Sequence, residues 1–324
     1  MGSSSCGLPR GNVAAFLVVG GRPEADARTI LLLWGTTVGT LKKLFDVSGK
    51  TAIVTGASSG LGAAFARAFS EAGMNVMLAA RRTGRLEELE AELSRSEAEV
   101  ASVTCDVSDS SQVAHMLERA VDRFGGVDVL VNNAGQTDGG PVPEKHPDDL
   151  FEQIVRVNLN GLWFCCKYVG AHMLKRGRGS IINIASILGL GGQHNYPPGY
   201  MATKAAVINL TRTLACSWAD RGVRVNAIAP GWYPSEMTGP WLGNPDFLKH
   251  VQAQTPMARV GRPEELLGAL FYLASDASSY VTGHTLVVDG GLSASIGAPP
   301  MTPEITSFIE TAVPNGLGVR ITPE

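Results

Sequence analysis

The sequence predicts an α/β fold: one doubly wound domain on a seven-stranded parallel sheet. Three observations support it. Short apolar runs alternate with helical patterns from residue 45 to 292. At 51–62 a β-branched run passes directly into a glycine-rich turn and then into a helical pattern. The remaining polar motifs each follow a predicted strand or lie on the helix after one.

The first strand is read at 52–55 and the helix after it at 63–69, with Gly56, Gly60 and Gly62 between them. Taken alone, glycines in GxxxGxG spacing read equally well as a tight turn that needs positive φ. With a strand before and a helix after, they read as a Rossmann-type cradle. There the backbone approaches a pyrophosphate, and the first N–H groups of the helix hold its charge. Further strands are read at 75–80, 99–105, 127–131, 180–185, 223–228 and 284–288. Helices are read between them at 86–93, 111–124, 148–176, 200–220 and 263–274, the last with Pro263 in its first turn. Right-handed crossovers then bring every strand's C-terminal end to one edge, where ligands bind.

Residues 45–292 hold all these elements and are read as one Rossmann-fold domain. Residues 1–44 are expected to be a poorly ordered or loosely docked extension. Their apolar runs at 13–19 and 30–34 are shorter than the ~20 residues of a bilayer span and do not complete a signal-peptide pattern. Residues 293–324 contain Pro299, Pro300, Pro303, Pro314 and Pro323, and read as a tail with a short helix near 304–311.

Over 324 residues, a hydrophobic content of 44% supplies a large core. The net charge of −3, without blocks of like sign, argues against a nucleic-acid surface or a polybasic membrane anchor. Cys6, Cys105, Cys165, Cys166 and Cys216 show no CxxC spacing, and the six histidines form no metal-binding pattern. A disulfide framework and a metal site are therefore not indicated, and a reducing, cytoplasmic setting fits.

After the second strand come Arg81 and Arg82, where an acidic residue would bind a ribose 2′-hydroxyl. Guanidinium groups suit a 2′-phosphate, so NADP(H) is favoured over NAD(H); a solvated arginine pair on a loop is the alternative. Tyr200 and Lys204 stand four apart on a predicted helix and share one face. A phenol is a poor base at neutral pH, but a cation beside it favours the phenolate, so such a pair can give or take a proton. Ser186 ends the fifth strand at the same sheet edge, where its hydroxyl can hydrogen-bond a carbonyl or alkoxide oxygen.

The run containing Gly56, Ser58, Ser59, Gly60, Leu61 and Gly62 resembles the TGxxxGxG cofactor motif of the short-chain dehydrogenase/reductase family. Asn132, Asn133, Ala134 and Gly135 match its NNAG element, Asn158 its catalytic asparagine, and Ser186 with Tyr200 and Lys204 its serine and YxxxK pair. Residues 230–235 resemble its loop beside the nicotinamide, with Ser235 where the family usually has Thr. The resemblance implies that Asp106 and Val107 meet the adenine, and that Asn133, Ala134, Gly135, Pro230, Gly231 and Ser235 flank the cofactor. It implies Tyr200 as acid/base, Lys204 as its partner and ribose anchor, Ser186 as ligand of the substrate oxygen, and Asn158 as holder of a proton-relay water.

The activity it implies is hydride transfer between nicotinamide and a secondary alcohol or ketone, with a small-molecule substrate and a homo-tetrameric or homo-dimeric assembly. Residues 232–256, including Tyr233, Met237, Trp241 and Phe247, are expected to form a mobile substrate cover, and 191–198 to line the substrate side. The pattern is similar both to members that oxidise gluconate or other polyols and to 3-oxoacyl-carrier-protein reductases. A non-catalytic NADP(H)-binding sensor or scaffold on the same fold stays open at this point. The presence of Ser186, Tyr200, Lys204 and Asn158 argues against it.

Overall fold

The computed structural model describes residues 39–95, 98–137, 139 and 142–295. Apart from 39–44, the extension expected at 1–44 lies outside the described residues, as do Cys6 and the tail helix expected near 304–311. The chain divides into Met1–Lys43 and Leu44–Glu324, and the second unit carries the sheet.

Residues 39–45 are helical (α1). The elements that follow are β1 (Thr51–Thr55), α2 (Gly60–Glu71), β2 (Asn75–Ala80), α3 (Thr83–Leu93), β3 (Val100–Thr104), α4 (Ser110–Phe124) and β4 (Val129–Asn132). Next come α5 (Asp148–Val155), α6 (Leu162–Arg176), β5 (Gly179–Ile184), α7 (Pro198–Trp218) and β6 (Val223–Pro230). Three helices, α8 (Gly239–Leu242), α9 (Pro245–Gln254) and α10 (Leu267–Ala274), precede β7 (Thr285–Val288). All seven strands pair in parallel in the order β3-β2-β1-β4-β5-β6-β7. The order reverses between β1 and β4, which opens a crevice at their C-terminal ends.

Local sequence explains the helix ends. Asp109 caps α4 by accepting from the backbone of Ser111 at 2.8 Å, and Gly125 closes it at φ 79°. Gly177, at φ 67°, closes α6 behind Lys175 and Arg176, whose charges suit the negative end of the helix dipole. Each face of the sheet carries its own apolar layer. Phe65 and Phe69 of α2, Leu86 and Leu89 of α3, and Leu270 and Leu273 of α10 pack on one face. Val113 and Met116 of α4, Cys165 and Val169 of α6, and Val207 and Leu214 of α7 pack on the other.

One sequence expectation needs correction. The single helix read at 148–176 is interrupted by a π turn at Arg156–Gly161, between α5 and α6. Two packing demands coincide there. The side chain of Asn158 turns inward to the loop after β4, and Gly161 lies so close to Val107 that a Cβ would stand 2.7 Å from its Cγ2. A wider turn accommodates both.

The β1–α2 turn is packed as tightly. A Cβ on Gly62 would overlap the Gly56 carbonyl oxygen and lie 2.5 Å from Asn133 Nδ2. Gly62→Ala is therefore expected to lower stability by about 2 kcal/mol or more, since neither neighbour is the free end of a flexible chain. Urea denaturation measures it, and an unchanged midpoint would mean that the turn has slack.

Candidate active site

The crevice between β1 and β4 opens into a cleft of about 520 Å³. Its floor is the glycine turn. Gly56 and Gly60 take φ of 67° and 54°, which L side chains avoid, and a Cβ on Gly56 would lie 2.9 Å from Ala134 Cα. Thr55 ties this turn to β4: its Oγ1 accepts from the backbone N–H groups of Asn133 and Ala134, each at 3.1 Å. Asn133 returns the contact, donating from Nδ2 to Thr55 O at 3.0 Å. At the start of α2, Ser59 makes no side-chain cap, and among the described residues no side chain accepts from the first N–H groups of that helix. Uncapped N–H groups and a backbone without Cβ atoms are what a pyrophosphate requires, and the residues present therefore fit a dinucleotide.

Of the residues anticipated from sequence, Gly56, Ser58, Ser59, Gly60, Leu61, Arg81, Asp106, Val107, Asn133, Ala134, Gly135, Ser186, Tyr200, Lys204, Pro230, Gly231 and Ser235 all line this cleft. Gly62 and Asn158 stand behind its wall. Gly62 is the packing glycine described above. Asn158 is 2% exposed, and its side chain bonds the Gln136 backbone on both sides, accepting from N and donating to O at 2.8 Å each. Its amide therefore fixes the loop after β4.

Tyr200 lies in the first turn of α7, at the positive end of the helix dipole. Lys204, one turn on, places Nζ 5.5 Å from the centre of the Tyr200 ring and donates to Ile184 O at 2.7 Å. Burial holds the Lys204 ammonium at a pKa of about 8, well below its ordinary 10.5. Ser186 Oγ accepts from Leu188 N at 3.1 Å, which leaves its O–H proton to donate into the cleft. A buried polar thread holds α7 to the sheet: Asn132 donates to Asn183, and Asn183 donates to Thr211, each at 2.9 Å.

A smaller cavity of about 90 Å³ adjoins the cleft, and Thr137, Ser186, Tyr200, Gly231, Met237 and Thr238 line both. Its outer wall includes Leu188, Tyr196, Trp232 and Trp241, and among the described residues no charged side chain lines it. The rings form a chain: Tyr196 and Trp232 lie 6.5 Å apart, Trp232 and Phe247 5.1 Å, and Phe247 and Trp241 5.6 Å. Asn195, Tyr196 and Pro197 reach this wall from the 191–198 loop, as anticipated. Tyr233 does not behave as part of a mobile cover. It is 5% exposed, donates from its hydroxyl to Val288 O at 3.0 Å, and packs where a Cβ on Gly261 would overlap its ring. Ser235 spends its hydroxyl within the same segment, accepting from Thr238 N at 3.2 Å.

Of the two arginines expected to meet a 2′-phosphate, both line the cleft, and Arg82 is the one bonded to the glycine turn. Its guanidinium donates to Ser58 Oγ at 3.1 and 3.0 Å and to Ser59 Oγ at 2.6 Å. It also pairs with Glu236 at 2.8 Å, and Arg85 holds the other oxygen of that carboxylate. These hydrogen bonds from Arg82, Arg85 and Ser59 bring the Glu236 carboxyl down to about 2. Glu236, Arg85 and Thr55 were missed. Only tertiary pairing identifies the two charged residues, although the Thr immediately before Gly56 was a signal for the third.

Comparison with known proteins agrees with this geometry. A family model described as enoyl-(acyl carrier protein) reductase matches residues 56–293. The chain is 38% identical over 256 residues to a sorbose reductase of Schizosaccharomyces pombe, which spans 78% of this chain and 98% of that protein. It is 40% identical over 256 residues to 3beta-hydroxysteroid dehydrogenase 1 of Eggerthella lenta, spanning 76% of this chain and 95% of that one. Among solved structures it is similar to a gluconate 5-dehydrogenase from Burkholderia cenocepacia in complex with NADP and tartrate. The TM-score is 0.76 and the identity 33%, over 79% of this chain and 100% of that one.

The buried lysine makes a test of the site independent of turnover. Lys204 loses its proton at about 8 in the folded chain and near 10.5 when unfolded, so between those values the unfolded state binds more protons and this group's contribution to stability rises with pH. Lys204→Met removes that rise. The stability of the variant relative to wild type should be greatest at pH 7 and should fall by up to about 3 kcal/mol by pH 10.5. Urea denaturation across this range measures it, and a constant difference would show that Lys204 is not desolvated.

Proposed function

The chain belongs to the short-chain dehydrogenase/reductase family, oxidoreductases of alcohol and ketone groups, and from that premise we propose an NADP(H)-dependent enzyme that interconverts an uncharged secondary alcohol and its ketone. The observation that carries the reading is that Ser186 and Tyr200 face both the large cleft and the small cavity. A substrate carbon in the small cavity would therefore meet a nicotinamide in the cleft within reach of both hydroxyls.

The glycine turn and the start of α2 would hold the pyrophosphate, Arg82 with Ser58 and Ser59 the adenosine 2′-phosphate, and Asp106 and Val107 the adenine. The bound cofactor supplies the hydride. In reduction Tyr200 gives a proton to the substrate oxygen, and in oxidation it takes one. Ser186 donates a hydrogen bond to the same oxygen and orients it. Lys204 favours the phenolate, which makes Tyr200 a stronger acid in reduction and keeps it ready as a base in oxidation. Asn158 fixes the loop carrying Gly135 and Gln136, and a water at its π turn would pass protons between Lys204 and solvent.

Three features favour a 2′-phosphate: the arginine pair, the absence of a carboxylate at the end of β2, and the two serines that orient Arg82. The substrate side has a different chemistry. Arg81, Arg82 and Lys204 are the cations lining the two cavities among the described residues, and all three lie in the cofactor cleft. A sugar acid would bring its carboxylate against aromatic rings. The wall instead suits a neutral ketone with an apolar ring or short-chain face, and so disfavours gluconate among the family's substrates.

Tyr200→Phe keeps the ring and deletes the proton-carrying hydroxyl. Turnover is expected to fall by about 10²–10⁴-fold or more while NADPH affinity stays within about twofold. Activity within about threefold of wild type would remove Tyr200 from the mechanism. Single-turnover oxidation of NADPH against cyclohexanone-type ketones, 5-ketogluconate and a 3-oxoacyl thioester tests the substrate class. The cyclic ketones are expected to react fastest, and a preference for 5-ketogluconate would overturn the uncharged-substrate reading.

A further inference from the structure

Glu236 is carried between Ser235 and Met237 on the segment that covers the cleft, yet its carboxylate reaches across to the arginines that follow β2. One oxygen pairs with Arg82 at 2.8 Å and the other with Arg85. The same Arg82 guanidinium is held by Ser58 and Ser59 of the glycine turn. Glu236, Arg82, Ser58 and Ser59 all line the cleft, and the Glu236 side chain is 48% exposed at its mouth. To a guanidinium fork, a carboxylate and a phosphomonoester are the same kind of ligand, two acceptor oxygens carrying negative charge.

We propose that Glu236 is a built-in competitor for the 2′-phosphate subsite, an internal anion that occupies Arg82 and sets how strongly the enzyme prefers NADP(H) over NAD(H). This rests on the NADP(H) reading above. Arg82 and Arg85 against Glu236 leave a single net positive charge in this cluster, with Arg81 lining the cleft beside it. A 2′-phosphate brings about −1.5 to −2 and competes with the carboxylate for the same guanidinium groups. Arg82 must then turn from the carboxylate to the phosphate. Arg85, at the next turn of α3, keeps Glu236 nearby, where it continues to repel the phosphate. A cofactor with a free 2′-hydroxyl imposes neither demand. Glu236 therefore weakens phosphate binding selectively and narrows the difference between the two cofactors.

The same pairing ties cofactor choice to the cover. While Arg82 holds Glu236, the segment from Ser235 to Thr238 is drawn over the cleft. When the phosphate takes Arg82, that segment is held by Arg85 alone. Glu236 is thus a specificity-determining residue that touches no reacting atom.

The test is calorimetric titration of adenosine 2′,5′-bisphosphate and of 5′-AMP into the full chain and its Glu236→Gln variant, at low and moderate salt. Neither probe carries nicotinamide, so activity does not enter. Glu236→Gln should tighten adenosine 2′,5′-bisphosphate by about threefold to fivefold, the scale of an exposed ion pair, and leave 5′-AMP within about twofold. The gain should shrink as salt rises. Unchanged or weaker binding of the bisphosphate by the variant, with wild type still preferring it over 5′-AMP, would overturn the competition and make Glu236 a strut. A wild type that binds both probes equally would instead overturn the NADP(H) reading. Glu236→Ala, at the same exposed position, provides a second variant that should show the same selective gain.

Discussion

Lys204 donates to the carbonyl oxygen of Ile184 across 2.7 Å, and this contact ties the proton-handling helix to the end of β5. The lysine is 6% exposed, and no carboxylate pairs with it among the described residues. An ammonium so placed is costly, and the Ile184 carbonyl that accepts from it offsets part of that cost. Its neighbours are arranged to the same end. Gly135 has no side chain where a Cβ would stand 3.4 Å from Asn158 Oδ1 and 3.8 Å from Lys204 Nζ. The Asn132–Asn183–Thr211 thread fixes α7 to the sheet about three turns beyond Tyr200.

Charge is divided between the two halves of the site. Arginines and helix N–H groups converge on the cofactor half, and aromatic rings close the substrate half. The partition has a physical reason. Proton transfer at Tyr200 is most effective where few mobile charges and little water compete for the phenolate, and the apolar cavity provides that on one side. On the other side the ligand is itself an anion, and it is met by dipoles fixed in the backbone.

Much of this was legible in the chain. The seven strands fell within a residue or two of their places, because β-branched runs between glycine and polar punctuation are strong local signals. Tyr200 and Lys204 were found by their spacing alone, since an i, i+4 pair on a helix must share a face. What was missed depends on tertiary packing. The π turn at Arg156–Gly161 has no periodicity of its own and follows from the inward side chain of Asn158 and the close approach of Gly161 to Val107. Tyr233 read as part of the cover because it sits among Trp232, Met237 and Trp241, but its hydroxyl finds an acceptor only on β7. That Arg82 rather than Arg81 bonds the glycine turn is likewise invisible in the sequence, being a matter of backbone direction at one residue.

The anchoring of Tyr233 constrains how the cover can move. Trp232 O accepts from Gly261 N at 2.9 Å, and the Tyr233 hydroxyl is fixed to β7, so the start of the covering segment is pinned to the sheet at two points. Beyond it, Ser235 and Thr238 bond each other, Thr238 Oγ1 also donates to Tyr233 O at 2.5 Å, and α8 and α9 are short helices with little buried surface. The turn from Tyr233 to Thr238 is thus closed on its anchored end, and Glu236 lies within it, three residues past Tyr233. The same chain runs on into α8 and α9, which carry Trp241 and Phe247 of the aromatic wall. The ion pair with Arg82 and the aromatic wall are therefore joined by a few residues of one segment.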